Sequence, residues 1–168
     1  MINTIIYGLT IGAILYFISI GLSLTFGTMK IVNFAHALAY TIGVYMLVTF
    51  LPLVKGNFVI AALISTAVVV PISYVIERFI IRRLYGESLD YAIIATYAVL
   101  LIGVDLIKWI WGVNPYPMSD PVGKYLSLGG LTIPVYRIVI VVAAFLLFGA
   151  LNFFFKKSIM GKIVVAAL

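Results

Sequence analysis

The chain has 168 residues, of which 65% are hydrophobic and 10% charged, with a net charge of +6. Soluble domains hold about 45–50% apolar and about 25% charged residues, so these figures exclude a water-soluble globular protein. With no cysteine and a single histidine, His36, disulfides, thiol catalysis and an ordinary zinc site are excluded as well.

The first predicted span runs from about Ile5 to Phe26, inside a stretch, Ile2 to Met29, without a charged side chain. Runs of about 18 or more such residues are membrane-crossing helix candidates, and the lack of strict alternation argues against a β-barrel. No basic segment precedes this run and no small-residue cleavage site follows a short apolar core, so it is expected to be a retained span and not a signal peptide. Gly8 and Gly12 have the GxxxG spacing that permits close helix approach; incidental glycines are an equally weighted reading.

A break is expected between Gly27 and His36, where Gly27 and Thr28 weaken the helix and Lys30 is costly to bury. The second span covers about Asn33 to Leu53, with Asn33 placed to cap it. Lys55, Gly56 and Asn57 then form a turn before a third span, Phe58 to Ile76, in which Pro71 is expected to introduce a kink. The segment Glu77 to Glu87, with Arg78, Arg82 and Arg83, is a charged loop.

The fourth span covers Tyr91 to Trp111 and ends with Asp105 and Lys108 at i,i+3, placed to neutralise each other. Trp109, Trp111 and Tyr116 mark a membrane–water interface. Gly112 to Tyr136 is proline-rich, and Gly129-Gly130 between two short β-prone runs predicts a small extracytoplasmic hairpin. The fifth span covers Val135 to Phe155, followed by Lys156, Lys157 and Lys162.

The fold class is therefore an all-α polytopic membrane bundle of about five helices, a single transmembrane domain over residues 1–168. The positive-inside rule puts Lys30, Arg78, Arg82, Arg83, Lys156, Lys157 and Lys162 on the cytoplasmic side and Lys55, Lys108, Lys124 and Arg137 outside. That assignment counts five full crossings, and a discontinuous first helix would shift the N-terminal half.

No nucleotide-binding Gly-rich motif, metal cluster or regularly spaced arginine series is present, so an enzyme, an ATP-hydrolysing chain and a voltage sensor are not expected, and no cofactor is implied. Passage of a solute remains. Interrupted helices expose backbone and small polar groups to a substrate, which makes Thr25, Asn33, His36 and Thr41 the candidates for lining a pathway. The competing reading gives Asn33 only a capping role and has His36 hydrogen-bonded within a packed bundle.

Residues 21–45, GLSLTFGTMKIVNFAHALAYTIGVY, resemble the signature of permease subunits of branched-chain amino-acid ABC transporters, close to G-L-x-L-x-F-G-x-x-x-x-x-N-F-A-H-G. Three further blocks agree in order and spacing: Ile76-Glu77-Arg78 with Arg82 and Leu84-Tyr85-Gly86; Trp109-Ile110-Trp111-Gly112; and Lys157-Ser158-Ile159-Met160-Gly161-Lys162. Two departures are Ala37, where a glycine is usual, and Ile163-Val164-Val165, where a basic residue is usual. Family members continue past the position of Leu168 with further spans, so the resemblance implies an N-terminal portion of such a permease, incomplete at its C-terminus.

The resemblance implies a multi-pass subunit of the prokaryotic cytoplasmic (inner) membrane, importing branched-chain or other small amino acids. Its implied partners are a second permease subunit, two cytoplasmic ATPase subunits, an extracytoplasmic substrate-binding protein and membrane lipid, with no nucleic acid. Met160, Gly161 and Lys162 would open the loop that couples to the ATPase. The alternatives are a urea or short-amide importer and a truncated, non-transporting membrane fragment.

Overall fold

A computed structural model describes residues 2–116, 120–128, 131–159 and 161–162. In chain order they form α1 (Ile2–Met29), α2 (Ala35–Leu53), α3 (Phe58–Phe79), a 3₁₀ turn (Ile81–Leu84), α4 (Leu89–Trp111), β1 (Tyr125–Leu128), β2 (Leu131–Pro134) and α5 (Val135–Lys157). Among the described residues, five helices are long and apolar enough to cross a membrane. The shortest, α2, has 19 residues and rises about 29 Å, close to the thickness of a bilayer's hydrocarbon core. Ile94, Phe145 and Leu63 are 69%, 68% and 67% exposed. A surface of that kind is made for lipid or for further helices. The fold is an all-α polytopic membrane protein that also carries a small β-hairpin.

Local chemistry sets the helix ends. After α2 the chain closes a Schellman turn: Lys55 N–H bonds the Pro52 carbonyl at 3.2 Å and Gly56 N–H bonds the Leu51 carbonyl at 2.9 Å. Lys55 and Gly56 take φ of 54° and 79° there. Asn57 then caps α3, its side chain accepting from Ile60 N–H at 3.2 Å, and Ser88 caps α4 by accepting from Tyr91 N–H at 3.4 Å. Gly112, at φ 84°, ends α4. α3 stays helical through Pro71.

The chain divides into two compact units, Met1–Thr28 with Ser119–Leu168, and Met29–Met118. In the second unit α2 and α4 run parallel, as α3 between them requires. Phe34 and Tyr97 meet edge to face at one end, Leu38 sits against Gly103, and Trp111 reaches Thr49 at the other. Small residues carry this packing: Ala61 and Ala92 are fully buried, and Ser65 turns its hydroxyl back to the Ala61 carbonyl at 2.7 Å. In the 3₁₀ turn Ile81 and Leu84 point inward, and Leu84 packs with Ile31 and Ala92.

In the first unit α1 and α5 also run parallel. The Arg137 guanidinium lies 3.5 Å over the Tyr7 ring, and Tyr16 meets Phe148 at 6.3 Å further along. Parallel first and fifth helices are what five full crossings produce; a single discontinuous α1–α2 crossing would make them antiparallel. β1 and β2 pair antiparallel from Tyr125↔Pro134 to Leu128↔Leu131, as the hairpin reading expects, and the Gly129-Gly130 pair lies outside the described residues. Gly8 and Gly12 do not mediate a tight crossing here. A Cβ at either would meet nothing within 4 Å, and both line a cavity of about 360 Å³ whose wall includes Ala13, Tyr16, Ala144 and Phe148.

Candidate functional site

The polar stretch singled out by sequence lies at the break between α1 and α2, residues 30–34. α1 ends at Met29, and Lys30 takes a left-handed φ of 55°, a conformation that stops a helix and costs a residue with a Cβ about 1–3 kcal/mol. Ile31 then turns inward at 4% exposure to pack on Leu84 and Ala92. A break next to an apolar core leaves peptide groups that must find partners.

Thr96 of α4 supplies them. It accepts from Phe34 N–H at 3.3 Å, and its hydroxyl lies 3.1 Å from the Val32 carbonyl and 2.8 Å from the Ala92 carbonyl. A hydroxyl has one proton and two lone pairs, so Thr96 accepts from Phe34 and donates to one carbonyl at a time. It is fully buried. Sequence reasoning missed it, because a threonine inside a membrane helix ordinarily only back-bonds its i−4 carbonyl, and nothing local distinguishes Thr96 from Thr41 or Thr66, which do that.

Asn33 does not cap α2. Phe34 holds the cap position with φ −67° and ψ −22° and no side-chain cap bond. Asn33 is one residue too early: its backbone carbonyl starts the first turn by accepting from His36 N–H at 3.2 Å, and the nearby donor, Phe34 N–H, belongs to Thr96. The Asn33 Oδ1 atom is buried without a hydrogen-bond partner among the described residues. An unsatisfied buried acceptor costs about 1–3 kcal/mol, and it is the kind of group a ligand donor can satisfy. His36 stands in the first turn of α2, half-buried, and its imidazole makes no hydrogen bond among the described residues. The reading in which His36 is tied into a packed bundle finds no such bond here.

Thr41 stands on another face of α2 from His36, and Thr25 belongs to the other unit. Thr41 follows His36 by five residues, about 140° around the helix, and its hydroxyl bonds the Ala37 carbonyl at 2.8 Å. With Tyr45, Ile107 and Lys108 it lines a groove of about 200 Å³ between α2 and α4. Thr25 belongs to the first unit and donates to the Gly21 carbonyl. The four candidates are therefore one pair at the break, one residue in a groove and one residue on another unit.

Lys108 does meet Asp105, at 3.0 Å on an exposed face. The aromatic end of α4 is tied together: Trp111 Nε1–H bonds the Thr49 hydroxyl at 2.9 Å, Tyr45 lies 5.3 Å from the Trp111 ring, and Tyr116 donates to the Trp111 carbonyl at 2.7 Å. Trp109 is 83% exposed beside them.

Of the three coupling candidates, Met160 lies outside the described residues. Gly161 is buried where the chain folds back on the end of α5; a Cβ there would lie 2.7 Å from Phe155 Cα and overlap the Phe154 carbonyl. Ser158 N–H bonds that carbonyl at 2.9 Å, and Lys162 N–H bonds the Ser158 carbonyl at 3.0 Å. Only glycine fits the fold-back, which leaves Lys162 exposed at its tip.

The chain is similar to the high-affinity branched-chain amino acid transport system permease protein BraD of Pseudomonas aeruginosa, at 27% identity over 177 residues that cover 96% of this chain and 57% of the relative. It thus spans little more than half the length of that protein. No solved structure matches. Residues 4–167 match the family described as branched-chain amino acid transport system / permease component, and the chain belongs to that family of multi-pass membrane permeases.

Proposed function

We propose that the chain forms part of the solute pathway of an ATP-driven importer of branched-chain or other small amino acids, with Asn33 and His36 at the α1–α2 break facing that pathway. The observation that carries this reading is the buried Asn33 Oδ1, which has no partner among the described residues, three positions ahead of an imidazole that makes no hydrogen bond among them. Unsatisfied polar groups within a membrane are costly, and solute pathways are where they are used. A carboxamide oxygen suits an ammonium or amide N–H donor, and neither side chain can hydrolyse ATP. Energy comes from separate ATPase subunits, which Met160, Gly161 and Lys162 approach on the cytoplasmic side of a prokaryotic inner membrane. A second permease subunit completes the pathway, and an extracytoplasmic binding protein delivers solute. Thr25 and Thr41 remain candidates for lining a pathway, each on its own unit.

The test is uptake of labelled leucine in cells that carry the permease with its ATPase and binding protein. Asn33→Ala and His36→Ala are each expected to cut uptake several-fold at unchanged membrane abundance. Unchanged uptake in both variants would make the pair structural. Uptake of labelled urea in place of leucine would move the permease to the amide-importing alternative.

A further inference from the structure

The last turns of α5 carry a surface that the transport reading leaves unused. Leu147, Ala150, Leu151 and Phe154, at the i, i+3/i+4, i+7 spacing of one helix face, floor a groove of about 620 Å³ that ends at Lys157 and Ser158. The Ser158 hydroxyl has no hydrogen-bond partner among the described residues, and the Lys157 ammonium lies 5.3 Å over the Phe153 ring. Lys156 and Lys162 are exposed close by. The one carboxylate in the sequence of this unit is Asp120, ahead of the hairpin at the other end of α5, about 35 Å away along a helix of 23 residues. The negative end of the α5 dipole is equivalent to about half a charge, against three lysines. Within its own unit, the end of this membrane-spanning helix is thus a cationic site without a nearby side-chain carboxylate among the described residues, continuous with an apolar trough.

We infer that this groove binds an anionic phospholipid, with an acyl chain along Leu147–Phe154 and the headgroup phosphate on Lys157, Ser158 and Lys156. The span runs apolar to Phe155 and turns basic at Lys156, which sets the lysines at headgroup depth and the trough at acyl depth. A free amino acid or a soluble anion would leave the trough empty. A zwitterionic lipid fits the trough but carries a trimethylammonium group into the lysines. The site lies outside the Asn33–His36 pair, so it stands or falls separately from the transport reading.

Native mass spectrometry of the full chain released from detergent micelles tests this, with phosphatidylglycerol and phosphatidylcholine of identical acyl chains as probes. Phosphatidylglycerol is expected to bind at least tenfold more tightly. The Lys156→Gln/Lys157→Gln double variant should abolish that preference, at roughly fivefold per lysine, while Lys55→Gln on the α2–α3 turn preserves it. Ala150→Trp, which fills the trough, should weaken both lipids. Circular dichroism checks that each variant keeps its helices, and a lost preference counts only with helicity intact. Equal affinity for the two lipids would overturn the proposal, as would a preference that survives the double variant. Displacement of phosphatidylglycerol by millimolar glycerol phosphate would reduce the site to a headgroup-only anion site and overturn it too. Capture of the ATPase subunit that depends on Lys156 and Lys157, without lipid preference, would reassign the lysines to a protein contact.

Discussion

Thr96 holds the peptide of Phe34 across a separation of 62 residues, the Phe34 N–H pointing to its Oγ1 at 3.3 Å. The same hydroxyl reaches the Val32 carbonyl, so one side chain of α4 braces the break that presents Asn33 and His36. Thr96→Val keeps the shape and removes the hydroxyl, leaving the partly buried Phe34 N–H and Val32 C=O without this partner. The expected cost is about 1–3 kcal/mol, read as a lower midpoint when the chain is unfolded by sodium dodecyl sulfate from mild detergent. Thr96→Ser should recover most of it. A Thr96→Val midpoint equal to that of the native chain would mean that the break is held by other contacts.

Leu38 and Gly103 set the spacing of α2 and α4. A Cβ on Gly103 would lie 2.8 Å from Leu38 Cγ and closer still to both methyl groups, and Leu38 is only 3% exposed, with little room to swing away. Gly103→Ala should therefore destabilise by about 1–3 kcal/mol, the usual cost of overpacking. Pairing it with Leu38→Ala should return part of that loss, a coupling expected only of residues in contact. Gly8→Ala and Gly12→Ala supply the contrast. With nothing within 4 Å, they should be neutral or stabilise by about 0.5–1 kcal/mol through helix propensity, in the same unfolding assay.

These two contacts also show how far the residue string could be read. Span boundaries were legible, because charges and caps interrupt long apolar runs and act locally: Ser88 and Asn57 cap the helices that follow them. The break at residues 30–34 was legible for the same reason. Its internal wiring was not. Asn33 has the right chemistry for a cap, yet the His36 N–H that such a cap would serve goes to Asn33's own backbone carbonyl, and the Phe34 N–H goes to Thr96, a partner two spans away that no local pattern reports. Glycine spacing left two readings open, and the incidental one fits Gly8 and Gly12. GxxxG says where a helix could be approached, and the glycine that is approached, Gly103, stands without a small partner at that spacing.

Gly161 ties the proposed coupling segment to the end of α5. Alanine there would force its Cβ into the Phe154 carbonyl and the Phe155 backbone, and backbone cannot rotate away as a side chain can. Gly161→Ala should displace the fold-back that presents Lys162 while leaving the five spans intact. The expected result is a several-fold loss of ATP-dependent uptake with an unchanged unfolding midpoint. Lys162→Gln should weaken ATPase association and keep the fold. Full uptake in Gly161→Ala would remove this segment from the coupling route.

The Tyr85 hydroxyl donates to Glu77 Oε1 at 3.0 Å, linking the last turn of α3 to the loop before α4. Partial burial raises the Tyr85 pKa above its ordinary value, the hydrogen bond to Glu77 and the charge of that carboxylate raise it further, and Arg82 pulls the other way. The folded chain therefore keeps this proton at pH values where the unfolded chain has lost it. Between the two pKa values the folded state binds more protons, so stability falls as pH rises. The contribution is intact below the unfolded value of about 10 and disappears as pH climbs through the folded one. Tyr85→Phe removes both the bond and its titration. Against the native chain, the variant should be less stable at pH 8, and the gap should narrow steadily above pH 10. The difference between native and variant unfolding midpoints cancels the other tyrosines and lysines that titrate in that range. A gap that stays constant from pH 8 to pH 11 would mean that Tyr85 contributes by packing and not through its proton.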